Sequence, residues 1–273
     1  MLAGFHVFDE ISPRIFANTG MSALLAKSHT DTLHALSLFY GEEIHRSWDA
    51  LLPSVQTGTP AFQLTFQQPV FSYFKEHPKQ AALFQAAMKE KSQAVIQSAL
   101  ASYDFTPFRS VYDIGGGYGQ FMQALLRHYP HLSGVLFELP EVVAAIQQKA
   151  PSLGARCALA AGDFFLSVPQ GGDVYLLKSV LHDWDDAQCG QILANCHRAM
   201  SSDSRLLIIE VVLQPKSLSV YANCMDVLML AITGGKERSL AAFQHLLEQG
   251  GFVLERIYPT ATEFSILEAR KAS

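Results

Sequence analysis

The sequence predicts an α/β protein: a doubly wound, mostly parallel seven-stranded sheet with an antiparallel last strand, preceded by a mainly helical N-terminal domain. Three observations carry this expectation. From Arg109 onward short apolar runs alternate with helical stretches, the order that builds a parallel sheet covered by helices on both faces. The first of those runs ends in "GGGYG", Gly115 to Gly119, and ligands of open α/β sheets bind beyond the carboxyl ends of their strands. Before that, from about Asp31 to Tyr103, apolar residues recur at three- and four-residue spacing, as on the buried face of a helix.

The elements follow in chain order. "GFHVFDEISPRIFANTG" has short apolar alternation around a Ser-Pro turn and predicts a small hairpin. "DTLHALSLFYGEEIHRSWDALLPSV" reads as helical, "TGTPAF" interrupts it, and "QQPVFSYFKEHPKQAALFQAAMKEKSQAVIQSALASY" continues it with breaks at Pro69 and Pro78. A boundary near Thr106–Pro107 divides the chain into 1–106 and 107–273. Strands are expected at "SVYDIG", "SGVLFEL", "ARCALAAG", "DVYLLKSV" and "RLLIIEVVL", with helices at "GQFMQALLRHYP", "PEVVAAIQQKA" and "DAQCGQILANCHRAM". The tail "FVLERIYPTATEFSILEAR" reads as two adjacent strands, an antiparallel hairpin at the sheet edge.

Composition narrows the function classes. The 273 residues are 49% hydrophobic and only 16% charged, which predicts apolar surface beyond one core and so a subunit interface. A net charge of −5 without a basic stripe excludes a nucleic-acid footprint. No stretch has the length and purity of a membrane span, and "MLAGFHVFDEISPR" lacks the charged start and apolar core of a signal peptide. Cys157, Cys189, Cys196 and Cys224 show no C-x-x-C spacing, predicting free thiols and a cytoplasmic protein.

The glycine turn tests its own ligand. Asp113, Gly115, Gly116, Gly117 and Gly119 form D-x-G-G-G-x-G. In either register the third glycine of a G-x-G-x-x-G dinucleotide fingerprint is missing, which disfavours a dehydrogenase, and no G-x-x-x-x-G-K-[ST] phosphate loop exists. Glycine still leaves room for a ligand to approach the backbone, while Asp113 at the strand end suits a cationic amine rather than a phosphate. Glu138 ends the second strand, where a carboxylate can accept from both hydroxyls of a ribose. Asp163 follows the third strand in "GDFF", where it or its backbone can read an adenine amine. Each acid alone could equally be a loop or helix-cap residue. Together they point to S-adenosylmethionine.

Lys178, His182, Asp183 and Trp184 follow the fourth strand in "LLKSVLHDWDD". A neutral phenol is a weak nucleophile, and an imidazole beside the cofactor crevice can take its proton as the oxygen attacks in line. Glu210 ends the fifth strand among apolar residues, where an unpaired acid is costly. Glu237 in "GGKER" could be a plain surface charge, and Asp183 could cap the helix that follows it. Metal ligation is not expected, because no H-x-x-x-H or paired-carboxylate spacing accompanies these residues.

"VYDIGGGYG", "GDFF", "LLKSVLHDWDD", "IIEVVL" and "MDVLMLAITGGKERSLAAFQHLLEQGGF" resemble the caffeate, flavonoid and acetylserotonin O-methyltransferase family of small-molecule methyltransferases. The similarity runs from about Val111 to Arg270 and, more weakly, through "SWDALLPSVQTGTPAF" and "LFQAAMKEKS". It implies a Rossmann-like sheet with a reversed seventh strand and metal-independent methyl transfer from S-adenosylmethionine to a hydroxyl of a small aromatic molecule. By resemblance His182 is the base, and Glu210 and Glu237 orient it. Asp113, Gly115, Gly117, Glu138, Asp163, Phe164, Lys178 and Trp184 face the cofactor. Phe71, Phe84, Met88, Asp183, Met225, Leu228 and Met229 face the acceptor, although a Phe or Met at helical spacing also serves as plain core. The family forms homodimers through a longer winged-helix-like N-terminal unit, of which this chain carries the later part. The stretch "LAITGG" is about one residue shorter than in plant members. Methylation at nitrogen or carbon, or a non-methylating reaction on the same cofactor, stands as the alternative.

Overall fold

The computed structural model describes residues 1–149, 153–214 and 219–272. Ala150, the last residue of the stretch read as "PEVVAAIQQKA", lies outside them. The predicted N-terminal hairpin forms from β1 (Phe8–Ser12) and β2 (Ile15–Asn18), paired antiparallel around Pro13 and Arg14. Helix α1 (Gly20–Ala23) follows under a capping box between Thr19 and Ser22.

The long helical pattern that continues is broken into α2 (His34–Gly41), α3 (Glu43–Ser47), α4 (Leu51–Thr57) and α5 (Ala61–Phe66). Two prolines start the next helices, as expected for residues that set φ and lack an N–H. Pro69 precedes α6 (Val70–Glu76), and Pro78 opens α7 (Pro78–Ser102).

The sheet begins with β3 (Ser110–Ile114), then α8 (Gln120–His128), β4 (Ser133–Glu138), α9 (Pro140–Lys149), β5 (Cys157–Ala161) and β6 (Val174–Lys178). Next come α10 (Asp186–Ala199), β7 (Arg205–Leu213), α11 (Val220–Ile232), a two-residue β8 (Arg238–Ser239), α12 (Leu240–Gln249), β9 (Phe252–Pro259) and β10 (Phe264–Lys271). The spatial order is β5-β4-β3-β6-β7-β10-β9, with β3 to β7 parallel and β10 inserted antiparallel between β7 and β9. The expected seven strands and the reversed last strand are therefore present. The short β8, paired to the end of β7, was not foreseen, since two residues leave no apolar alternation to read.

Alternation along the central strands divides the core into two layers. Val174 and Leu176 of β6 and Leu207, Ile209 and Val211 of β7 face a layer built with α8 and the C-terminal half of α7. Tyr175, Leu177, Leu206 and Ile208 face the other, built with α10 and α12. A third apolar cluster joins α2, α5, α6 and α7 to the end of α11 through Phe39, Phe62, Tyr73, Phe74, Ala231 and Ile232. Helix α7 thus spans two clusters, and its middle crosses the carboxyl end of the sheet. Among the described residues no helix is long and apolar enough to cross a membrane.

Candidate active site

The carboxyl ends of β3, β4, β6 and β7 converge where α7 crosses. After β3 the chain makes the glycine turn, with Gly115, Gly117 and Gly119 all in the left-handed region at φ +70°, +59° and +76°. Gly116 is needed for a different reason. A Cβ there would overlap the Asp113 carboxylate and come within 2.6 Å of Leu136 Cδ1, so the turn sits directly on the acid. Asp113 is 1% exposed, and neither of its oxygens accepts a hydrogen bond from the described residues. Burial raises its carboxyl to about 7, with Lys178 opposing and Glu138 reinforcing the shift.

Glu138 reaches the same turn from β4. Its Oε1 accepts from Gly117 N–H at 2.9 Å and its Oε2 from Leu139 N–H at 2.8 Å. Each oxygen keeps a further lone pair for a hydroxyl donor. Burial raises this carboxyl above its ordinary range.

Asp163 folds onto its own loop, accepting from Phe165 N–H at 2.8 Å. That is the turn role the sequence left open beside a ligand role. Phe164, next to it, packs over Gly115 and meets Trp184 edge to face at 6.0 Å between centroids. Trp184 also lies against Phe71 of α6, 5.9 Å away at 29°.

After β6 the backbone turns sharply at Ser179, a non-glycine residue with φ +54°, a conformation that persists only when its surroundings enforce it. The turn aims Val180 and Leu181 N–H at Glu210 Oε1, at 2.9 and 3.0 Å. Glu210, expected at the end of its strand, lies inside β7, where it pairs with Ser265 of β10, continues the Leu206 and Ile208 face and is fully buried. Its burial raises its carboxyl, and the nearby His182 opposes the rise.

His182 sits in a single 3-10 turn, Leu181–Asp183, and is 6% exposed. Its Nδ1 lies 2.9 Å from Glu237 Oε1 and 3.5 Å from Glu210 Oε2, and its Nε2 lies 4.0 Å from Asp183 Oδ1. With Glu237 ionised, Nδ1 carries the proton and donates to it, so Nε2 is the unprotonated nitrogen. Burial raises Glu237 to about 7 against the pull of Lys91, and raises Asp183 to about 6 against the pull of His182. The sequence spacing gives no sign of a metal set, yet ligand atoms of His182, Glu210 and Glu237 lie within 4.8 Å of one another. Tertiary folding, not spacing, gathers them.

Several residues of this site carry no signal of their own in the sequence. Gly235 is one: a Cβ there would penetrate the His182 carbonyl oxygen and approach the Asp183 carbonyl carbon to 2.6 Å. The close packing lets Lys236 N–H donate to the His182 carbonyl at 2.9 Å. Asp226 of α11 accepts from Glu237 N–H at 2.9 Å. Arg238 is buried and donates to the Leu181 and Trp184 carbonyls at 2.8 Å each, and to Asp186 Oδ1. The "GGKER" motif therefore clamps the turn that carries His182. Ser92 and Lys91 of α7 also enter the site: Lys178 Nζ donates to Ser92 Oγ at 3.3 Å, and Lys91 Nζ meets Met225 Sδ at 3.7 Å.

The residues expected at the acceptor divide by burial. Met225 and Met229 are buried on α11, while Phe71, Phe84, Met88 and Leu228 are partly buried against the third cluster. Phe84 lies 5.5 Å from Phe39, 4.9 Å from Phe74 and 6.4 Å from Phe71.

A parallel sheet with one reversed strand, a glycine turn over a buried acid and a histidine clamped between two glutamates defines a small-molecule methyltransferase. Comparison with known proteins makes the assignment specific: a family model described as an O-methyltransferase domain matches residues 48–253, and the chain belongs to that family. It is 40% identical over 271 residues to the phenazine O-methyltransferase PhzM of Lysobacter antibioticus, covering 98% of this chain and 80% of that one. It is 36% identical to a mitomycin biosynthesis 6-O-methyltransferase of Streptomyces lavendulae, covering 100% and 79%. A phenazine-1-carboxylate N-methyltransferase of Pseudomonas aeruginosa is 32% identical, covering 100% and 81%. The solved structure of LaPhzM superposes with a TM-score of 0.92, covering 99% of this chain and 82% of that chain. That of NcsB1, an O-methyltransferase from neocarzinostatin biosynthesis in complex with S-adenosylmethionine and 2-hydroxy-5-methyl naphthoic acid, superposes with a TM-score of 0.85 at 28% identity, covering 99% and 82%.

Proposed function

We propose that this chain transfers a methyl group from S-adenosylmethionine to a hydroxyl of a small aromatic molecule, with His182 as general base. The observation that carries the reading is the 2.9 Å contact of His182 Nδ1 with Glu237, which leaves Nε2 free to accept a proton. Three features support the fit of the cofactor. The Asp113 carboxylate is buried without a donor, as suits a cationic amino group. Gly117 has open space over its α-carbon, with Gln85 Oε1 the nearest atom at 3.8 Å from a built Cβ. Glu138 retains lone pairs for ribose hydroxyls. Gly115, Asp163, Phe164, Lys178 and Trp184 complete this side.

When bound, S-adenosylmethionine supplies a methyl group made electrophilic by its sulfonium. His182 Nε2 takes the acceptor's hydroxyl proton, and Glu237 and Glu210 stabilise the imidazolium that results. Such proton removal is worth about 10² to 10⁴ in rate, and alignment of the acceptor contributes the larger remainder. Met225, Met229, Leu228, Phe71, Phe84 and Met88 offer the apolar walls that a flat ring prefers, and Asp183 stands beside Nε2.

The reaction is metal-independent in this reading: Nδ1 is committed to Glu237 and Glu210 Oε1 to two backbone donors, and Glu210 Oε2 and Glu237 Oε2, which accept no hydrogen bond among the described residues, serve as negative charge facing the imidazolium rather than as ligands. The exposed apolar side chains Phe5, Ile11, Ile15 and Phe16 of the N-terminal segment, each more than half exposed, support a homodimer. The division at 106–107 separates a helical lid from the cofactor-binding part, with α7 shared by both. Four free cysteines support a cytoplasmic location.

A second reading is transfer to nitrogen, favoured by the N-methyltransferase among the relatives. Calorimetric titration with S-adenosylhomocysteine, with NADH as control, tests the cofactor. Labelled-methyl transfer to matched phenols and anilines then tests the acceptor atom. Binding of NADH alone, or transfer to anilines only, would overturn the leading reading.

A further inference from the structure

Helix α7 places two neighbouring residues toward opposite ends of the site. Ser92 Oγ accepts from Lys178 beside Asp113, at the cofactor end. Lys91, one residue earlier, extends to α11, where its Nζ meets Met225 Sδ at 3.7 Å. Met225 is buried on α11, next to Asp226, which accepts from the N–H of Glu237. That sulfur is the only hydrogen-bond partner of Lys91 Nζ among the described residues, and a thioether is a weak acceptor. Burial is the main influence on this amine and lowers its pKa, with Lys178 adding to the fall, while Glu237, Asp183 and Glu210 act through space to keep it charged; no described carboxylate approaches it within the 4.0 Å of an ion pair. Lys91 is thus held among the acids around His182, with donors to spare. Such a group is costly to bury without an oxygen partner.

Resting on the function proposed above, we infer that Lys91 reads the acceptor: its ammonium donates to a neutral carbonyl oxygen carried beside the reacting hydroxyl, which makes acyl phenols and hydroxyquinones the preferred substrate class. The surrounding acids argue for a neutral oxygen. A carboxylate in the same place would face Glu237, Asp183 and Glu210 and compete with them for one ammonium. A carbonyl accepts from Lys91 without adding negative charge. Two fixed points, proton transfer at His182 Nε2 and donation from Lys91 Nζ, would also set which hydroxyl of a ring is methylated.

The test measures binding to protein saturated with S-adenosylhomocysteine, using 1-acetyl-2-naphthol, 2-naphthol and 2-hydroxy-1-naphthoate. The wild type should bind the ketone about tenfold more tightly than 2-naphthol, the size of one charge-assisted hydrogen bond in a partly dry site. Lys91→Met should remove that preference and leave 2-naphthol within about twofold. Lys91→Arg, which keeps the charge, should keep most of it. Equal affinity of the wild type for ketone and naphthol, a preference that survives in Lys91→Met, or tighter binding of the naphthoate than of the ketone would each overturn the inference. Affinity for S-adenosylhomocysteine, measured on the same samples, reports separately on the proposed function: Lys91→Met should leave it unchanged, and its absence from the wild type counts against that function instead.

Discussion

His182 and Glu237 stand 55 residues apart in the chain and meet at 2.9 Å between Nδ1 and Oε1, both buried. Glu237 is raised to about 7, with burial the main cause. As pH falls through that value it takes up a proton and loses the charge that stabilises an imidazolium. The rate should therefore fall below about pH 7 and level off above it. In Glu237→Gln the hydrogen bond survives but the charge does not. We expect kcat to drop by about 10² or more and the limb near pH 7 to vanish. Measuring kcat against pH for both proteins checks this; an unchanged limb in the variant would assign it to another group.

Gly235→Ala should damage catalysis more than folding. The added methyl would collide with the carbonyls of His182 and Asp183, displacing the turn that aims the imidazole. Displacement of a reacting group by about 1 Å costs about 10²-fold. Assay and thermal melting together decide: a large loss of Tm with intact kcat in the folded fraction would contradict the positioning role.

Much of this arrangement was legible in the sequence, for identifiable reasons. Glu210 is conspicuous because it interrupts an apolar strand, and Asp113 and Glu138 because each ends one. His182 stands four residues after the end of β6. The parallel sheet followed from strand and helix alternation, and Pro69 and Pro78 mark breaks at which α6 and α7 begin. Lys91 was not legible, since a lysine on an amphipathic helix reads as a solvated face until the helix is seen crossing the sheet. Gly235 has no signal of its own in the sequence, because what forbids its Cβ is a carbonyl more than fifty residues away. The break of the first long helical pattern into the three short helices α2, α3 and α4 was equally hidden, with no proline at Gly41–Glu42 to mark it.

Stability of the cofactor-free protein should fall as pH rises. Asp113 has an ordinary value of 3.8 and is raised to about 7 in the folded protein. The folded state therefore binds this proton more tightly than the unfolded chain does. The resulting stabilisation is complete below about pH 4 and is lost as pH climbs through about 7. Tm should decline between about pH 5 and about pH 8, and Asp113→Asn should make the decline shallower, leaving the share that Glu237, raised to about 7, and Asp183, raised to about 6, contribute. Saturating S-adenosylhomocysteine should make it shallower as well, because an amino group then pairs with the carboxylate. A pH-independent Tm increment from the ligand would argue that the amine lies elsewhere.

Exhaustive dialysis against EDTA should leave methyl transfer unchanged, and added zinc or magnesium should not raise it. Loss of activity on dialysis, restored by one metal, would turn the cluster of His182, Glu210 and Glu237 into a cation site.

The central claim is that His182 removes the acceptor's proton, and its most direct test is single-turnover transfer of labelled methyl to a phenol by the wild type and His182→Gln across pH. The account predicts a rate lower by about 10² to 10⁴ in the variant at neutral pH, with affinity for S-adenosylhomocysteine kept, and a partial recovery at high pH where the phenol ionises unaided. Transfer by His182→Gln at the wild-type rate at every pH would contradict it.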